Sequence, residues 1–392
     1  MRISLIASAG EKHYQIALLE SLLDAGLHIE FVGNDRMAQA QLFQSRENVT
    51  LLNLRGSHNS NASLVRKLFR TLKYYCHLLT YAARTHSDLF HIQWLNRFAL
   101  LDRTLLNLYY KCLGKKLIFT AHNVDAAVRT GRSGFLNRWS HRIMYSLMDH
   151  IIVHTPQMKT QLTQWFNIPS QKVTVISHGI NNQVPRSGLT SFQARTRLNI
   201  DPDKKLLLLF GNLDPYKGAD LLIDALGILT RHDDSCQVMI AGPVASQFNG
   251  MIEQLQKNVC DSQLDHFVHW RLEFIPDEEI ETYFMAADCL VLPYYNIFQS
   301  GVMFLSYQFG LPIIATDVGS FRQDIIEAET GFIARPQDAP DLAEKIIRYF
   351  QSPLYHSLEQ SRKNIIGYAS RKYSWQNIAR ETQQVYRQVL SA

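Results

Sequence analysis

The sequence is poor in cysteine and has no long apolar run. Its five cysteines, Cys76, Cys112, Cys236, Cys260 and Cys289, are scattered and never spaced Cys-x-x-Cys. An odd count without such pairs argues against a disulfide framework, and the cytosol is the expected compartment. The longest hydrophobic runs, such as Leu206 to Phe210, fall far short of the roughly 18 to 20 residues of a membrane span. The short apolar start of the chain flows into a glycine turn, which reads as a first strand rather than a cleaved signal. Also missing are internal repeats, low-complexity tracts, a Cys/His cluster, a Walker lysine loop and a D-x-D at a strand end. These absences exclude solenoids and P-loop enzymes, and lead us to expect no cofactor and no obligatory metal.

What is present is size and uneven charge. The chain has 392 residues, and single cores stop growing near roughly 250 to 300 residues, so two domains are expected. Residues 1–185 hold 21 Lys+Arg against 10 Asp+Glu, whereas the remainder holds 19 against 25. A basic first half suits an anionic partner, either a phosphorylated acceptor or a lipid surface.

Apolar runs alternate with helical patterns from the start: ISLIAS, HIEFVG, VTLLNL, DLFHIQW, KLIFTAHN, HIIVHT and KVTVIS, with a long amphipathic helix from Leu64 to about Thr85. Strands separated by helices imply a parallel sheet. A polar stretch after Ile180, broken by Pro and Gly, marks a boundary, after which LLLLFG, QVMIAG, FVHW, CLVLPY and PIIATD repeat the pattern. The expected fold is α/β: two facing, doubly wound, Rossmann-like domains over 1–185 and 186–370, with a crossover helix over 371–392. Ligands of such sheets bind at the carboxyl ends of strands, so the cleft between the domains is the expected site.

The sharpest motif is Phe210-Gly211-Asn212-Leu213-Asp214-Pro215-Tyr216-Lys217-Gly218, between a strand and a helix. Gly211 permits close backbone approach, Lys217 supplies a cation, and Gly218 opens a helix whose amides face anions. Together they suit a phosphate. A lysine at a helix start opposes the helix dipole, which favours a ligand role over a solvated side chain. Further on, Gln299, Ser300, Gly301 and Val302 occupy a strand-to-helix junction, where a hydroxyl and free amides suit a diphosphate.

These segments resemble the retaining glycosyltransferases of family 4, which have the GT-B architecture, and the resemblance runs through nearly the whole chain. It implies that Lys217 neutralises a donor diphosphate and that His122, in Thr120-Ala121-His122-Asn123, reaches the transferred sugar. Gly10 then lies in the first loop bordering donor and acceptor, with His13, Asn123 and Asp125 on the acceptor side. Asp125 is equally readable as a helix cap, and His13 as helix surface. Trp270 and Arg271 follow a strand where the family binds the base, and either could stack on it, although an aromatic there also suits a core. The family's paired glutamates are missing: Ile297 and Leu305 hold their places. The closing helix from Tyr373 resembles the family's terminal crossover.

The expected function is therefore transfer of a hexosyl group from a UDP- or GDP-linked sugar to a glycan or polyprenyl-linked acceptor, with retention, in bacterial polysaccharide assembly. Peripheral membrane contact through the helix bearing Arg66, Lys67, Arg70 and Lys73 beside Leu64, Leu68, Phe69 and Leu72 would accompany it. A solvated charged face is the alternative for that helix. A nucleotide-sugar epimerase of the same architecture, or a non-catalytic subunit, are the alternatives for the whole.

Overall fold

The computed structural model describes residues 1–7, 12–38, 42–54, 56, 64–96, 98–124 and 134–392, without the side chains at 36, 38, 64, 65 and 67. It forms two compact units, Met1–Gly179 with Tyr373–Ala392, and Ile180–Lys372. In the first, β1 (Arg2–Ile6), β2 (His28–Val32), β3 (Val49–Leu52), β4 (Leu89–Ile92), β5 (Lys116–Ala121), β6 (His150–Val153) and β7 (Val173–Val175) make one sheet, ordered β3-β2-β1-β4-β5-β6-β7. In the second, β8 (Lys205–Phe210), β9 (Cys236–Ala241), β10 (Val268–Arg271), β11 (Cys289–Leu292), β12 (Ile313–Thr316) and β13 (Gly331–Ala334) are ordered β10-β9-β8-β11-β12-β13. Every pairing is parallel. Helices cover such sheets on both faces, which is why the strands read as unbroken apolar runs. Leu206 to Leu209 are at most 1% exposed, and each such leucine contributes about 1.5–3 kcal/mol on burial. The strand order reverses between β1 and β4 and between β8 and β11, which puts a crevice at each carboxyl edge.

Three elements go beyond the sequence reading. β13 is short and built partly of small residues; a Cβ at Gly331 would stand 1.8 Å from the Ile313 carbonyl oxygen, so glycine is required. The polar stretch after Ile180 contains a helix, Ser191–Leu198, started by a reciprocal Thr190/Gln193 capping box. Its buried Arg195 pairs with Asp288 at 2.8 Å, anchoring the helix to the start of β11. Beyond Phe350, a turn at Pro353–His356 leads to the helix Leu358–Lys372.

The closing helix, Trp375–Ser391, is N-capped by Ser374 and packs in the first unit against the helix Lys12–Asp24. The Trp375 ring lies so close over Gly179 that a Cβ there would come within 2.3 Å of it. Tyr386 is fully buried. The chain thus leaves its first unit at Gly179 and returns to it at Tyr373.

Candidate functional site

In the second unit, β8 ends at Phe210 and the chain turns at Gly211, whose φ is +96°. It passes exposed Asn212, winds through a single turn, Pro215–Lys217, and enters the helix Ala219–Leu229 at Gly218, with φ +65°. A Cβ on Gly218 would stand 2.0 Å from the Pro293 carbonyl oxygen, so the turn closes only on glycine. Lys217 is 5% exposed; its Nζ donates to the Phe210 carbonyl at 3.2 Å and lies 5.3 Å from the Tyr294 ring centroid. An ammonium held this far from water is strongly stabilised by a negative charge brought against it.

The loop after β11 meets this turn. The Tyr295 amide donates to the Tyr216 carbonyl at 2.8 Å, and Thr316 Oγ1, at the end of β12, donates to the Tyr294 carbonyl at 2.6 Å. Gly319 passes so close to the Ile297 carbonyl that a Cβ would lie 2.3 Å from its oxygen. These bonds fix Ser300, which is buried, as the N-cap of the helix Gly301–Gln308, with its hydroxyl 3.5 Å from that of Tyr294. Gly301 is exposed, and the Val302 methyl would lie 3.2 Å from a Cβ on Gly211, with Lys217 Nζ 3.0 Å from the same point. Gly211, Lys217 and the start of this helix therefore converge where the second sheet switches direction. Gln299 is partly buried, and its enclosed Oε1 has no hydrogen-bond partner among the described residues. Ile297 and Leu305 are buried in apolar packing, so neither position brings a charged group to the site.

One residue here escaped the sequence reading. Gly242, after β9 at φ +144°, donates its amide to the Arg271 carbonyl at 2.8 Å, and a Cβ on it would meet the Gly211 carbonyl oxygen at 2.2 Å. It braces the Gly211 turn and ties the end of β10 to it. Exposed Arg271 and partly buried Trp270 thus flank this turn on the same sheet edge. The available signal was a glycine directly after an apolar strand.

In the first unit, the carboxyl edge gathers side chains from four strands. His154, after β6, donates from Nδ1 to the Ile176 carbonyl at 3.0 Å, and its Nε2 lies 3.0 Å from His122 Nδ1. His122, after β5, has Nε2 3.3 Å from Gln93 Oε1. Trp94 stacks on the His122 ring at 3.6 Å and 12°, and Tyr14 presents an edge at 4.8 Å. His178, after β7, closes the group against Tyr14 and His154. Beneath, His91 Nδ1 lies 2.5 Å from the Tyr386 hydroxyl and its Nε2 2.7 Å from Thr120 Oγ1. Burial holds His91 and His154 down to about 3 and His178 to about 4. Burial, and then the neighbouring histidines, keep His122 well below the ordinary imidazole range. A neutral imidazole walled by indole and phenol rings can meet a sugar with a hydrogen bond and an apolar face. Of this cluster the sequence reading found only His122. Gln93, Trp94, His154 and His178 share one signal, a polar or aromatic residue just past an apolar strand.

Asn123 is exposed beside His122, and His13 is partly buried in the first turn of Lys12–Asp24. Gly10 and Asp125 lie outside the described residues. The helix Leu64–Arg84 turns Tyr74, Tyr75, Leu78 and Ala82 inward, with the Tyr75 hydroxyl donating to Asp102 at 2.9 Å. Its outer face carries exposed Arg66 and Lys73 beside Phe69, which is 70% exposed. Among the described residues, no helix is long and apolar enough to cross a membrane, and no three His, Cys, Asp or Glu gather to hold a metal.

Two parallel α/β units of this topology define the GT-B architecture. The solved structure of sucrose-phosphate synthase from Thermosynechococcus elongatus matches with a TM-score of 0.76 at 21% identity, over 100% of this chain and 99% of that one. Anabaena HepE in complex with UDP matches at 0.75 and 16% identity over the whole of both chains. Models described as Glycosyltransferase Family 4 and Glycosyl transferases group 1 match residues 13–184 and 191–372 in succession. The chain belongs to the family 4 glycosyltransferases. The D-inositol 3-phosphate glycosyltransferase of Frankia alni is 25% identical over 246 residues, covering 62% of this chain and 59% of that protein. The chain spans about half the length of the curated relatives it matches.

Proposed function

We propose that the protein transfers a hexosyl group from a UDP- or GDP-linked sugar, with retention, to a glycan or polyprenyl-linked acceptor in polysaccharide assembly. The observation that carries this reading is the convergence of Lys217, Gly211 and the Ser300–Val302 helix start at the switch of the second sheet. As the bond between the anomeric carbon and the diphosphate oxygen breaks, charge grows on the diphosphate, and the Lys217 ammonium and the first amides of Gly301–Gln308 stabilise it. Trp270 or Arg271 stacks on the base, and His122 meets the transferred sugar. Similar structures solved in complex with UDP and with UDP-glucose support such a donor. Because lysine supplies the positive charge, transfer proceeds without a metal.

The acceptor side rests on the outer face of the first unit. Phe69, Leu68 and Leu72 are continued by exposed Leu100, Leu105 and Leu108 of the neighbouring helical stretch, and by Phe135, Leu136 and Trp139 of the helix Phe135–Leu147. Tyr109 bonds the first two of these helices together, and Arg103 bonds the second to the third. Exposed Arg66, Lys73, Arg138 and Arg142 lie on the same helices. Apolar side chains among cations suit peripheral docking on an anionic inner membrane surface. A soluble phosphorylated acceptor is the second reading, favoured by the basic first half and by the relatives' names.

The test is a thermal-shift series with UDP, GDP and their sugars on the native protein and Lys217→Ala. Stabilisation by one nucleotide series, lost in the variant, supports the donor site, since a ligand of the folded state raises its apparent stability. No stabilisation by any of them refutes it. Flotation with vesicles containing anionic lipid, against neutral vesicles, separates the two acceptor readings.

A further inference from the structure

The hydrogen bonds around His122 have a direction. A backbone carbonyl only accepts, so His154 must carry its proton on Nδ1, where it bonds Ile176 at 3.0 Å. A neutral His154 then has a bare Nε2, which can only accept from His122 Nδ1, 3.0 Å away. His122 is thereby fixed as the Nδ1–H form, and its Nε2 carries the lone pair. The carbonyl oxygen of Ile176 thus dictates, through one intervening ring, which nitrogen of His122 is free of a proton.

Gln93 lies on the other side of the His122 ring. Its Oε1 stands 3.3 Å from His122 Nε2, and its Nε2 2.9 Å from His91 Nε2. Two lone pairs would then face each other across Gln93 and a neutral His122. Turning the carboxamide over removes the conflict: its nitrogen donates to His122 Nε2, and its oxygen accepts from Thr120. His91 Nε2 then donates to Thr120 Oγ1, and the Tyr386 hydroxyl donates to His91 Nδ1. Every hydrogen then points the same way, from Tyr386 on the closing helix to the Ile176 carbonyl. With His122 protonated on both nitrogens, the carboxamide as it stands is satisfied instead, so Gln93 can accommodate either state of Nε2 while Nδ1 stays committed.

We propose that His154 and Gln93 are positioning residues that hold His122 as its Nδ1–H tautomer, with Gln93 occupying the Nε2 lone pair until a hydroxyl of the transferred sugar displaces the carboxamide and donates to Nε2 in its place. This rests on the proposed function in placing His122 at the sugar. The tautomer itself does not depend on that reading. Trp94 stacked on the ring and Tyr14 at its edge keep it from rotating out of this arrangement.

The experiment is a two-bond ¹H–¹⁵N correlation spectrum of the full chain with ¹⁵N-labelled histidine near neutral pH, assigned with His122→Phe and His154→Gln. Protonated Nδ1 and bare Nε2 on both His122 and His154 support the proposal. An Nε2–H tautomer or an imidazolium at His122 overturns it. In His154→Gln, whose amide can donate or accept, the His122 signals should average between tautomers, and turnover of the nucleotide sugar should fall on the order of ten- to a hundredfold in kcat, with little change in KM. An unaltered His122 spectrum in that folded variant also overturns the positioning role. Undiminished turnover in His122→Phe would instead refute the placement of His122 at the sugar, and it would do so with the wild-type spectrum unchanged.

Discussion

The two units solve the problem of a strand-edge site by different means. In the second, the site is made of backbone: Gly211, Gly218 and Gly242 let three chain segments touch, and one lysine closes the turn. In the first, it is made of side chains contributed by four strands and two helices, with Gln93, His122, His154 and His178 bonded or packed together. A backbone site should tolerate acid and not substitution of its glycines. A site of buried neutral imidazoles should behave in the opposite way. A site proposed to meet diphosphate charge needs only amides and an ammonium, whereas one proposed to meet a sugar needs selectable donors and acceptors.

The largest expected effect separates charge from shape in the second unit. Lys217→Ala should lower kcat/KM for the nucleotide sugar on the order of 10²- to 10³-fold and abolish its thermal stabilisation, while leaving the unfolding midpoint of the free protein near that of the native chain. Next come the glycines. Gly242→Ala forces a Cβ against the Gly211 carbonyl at positive φ, and should destabilise the second unit by about 2–4 kcal/mol in chemical denaturation; a loss below 1 kcal/mol would show that the turn yields.

Acid should single out the first unit. His91 and His154 titrate near 3 when folded and near 6.5 when unfolded. Their stabilising effect is therefore complete above pH 6.5 and is lost as pH falls toward 3. Each should cost about 1.4 kcal/mol per pH unit across that window, read as urea midpoints at pH 7 and 5.5. His91→Gln should flatten the slope, and a slope of equal size in a protein lacking both histidines would refute the assignment. The smallest effect lies at the surface: Lys73→Glu should weaken binding to anionic vesicles by about 1–2 kcal/mol, roughly 1 kcal/mol for each charge lost or reversed, and binding that ignores both this change and added salt would exclude electrostatic docking.

What could be read in advance follows the same division. The turn Gly211–Gly218 is contiguous, so its glycines and lysine declare themselves from one stretch of sequence. Gly242 does not, because its partner, the Gly211 carbonyl, is 31 positions away by residue number and is a neighbour only through β8–β9 pairing. The helix Ser191–Leu198 hid between Pro185 and Gly188 on one side and Pro202 on the other, and the partner of its buried Arg195, Asp288, lies 93 positions away.

The sequence by itself determined the alternation of buried strands and amphipathic helices, the break after Ile180 and the lysine–glycine turn, because each depends on residues adjacent in the chain or spaced by one helical or strand period. Only the tertiary structure decided which strand ends became neighbours. His122 and His154 are 32 residues apart in the chain, and they meet because β5 and β6 pair in parallel and both end at the same edge of the sheet.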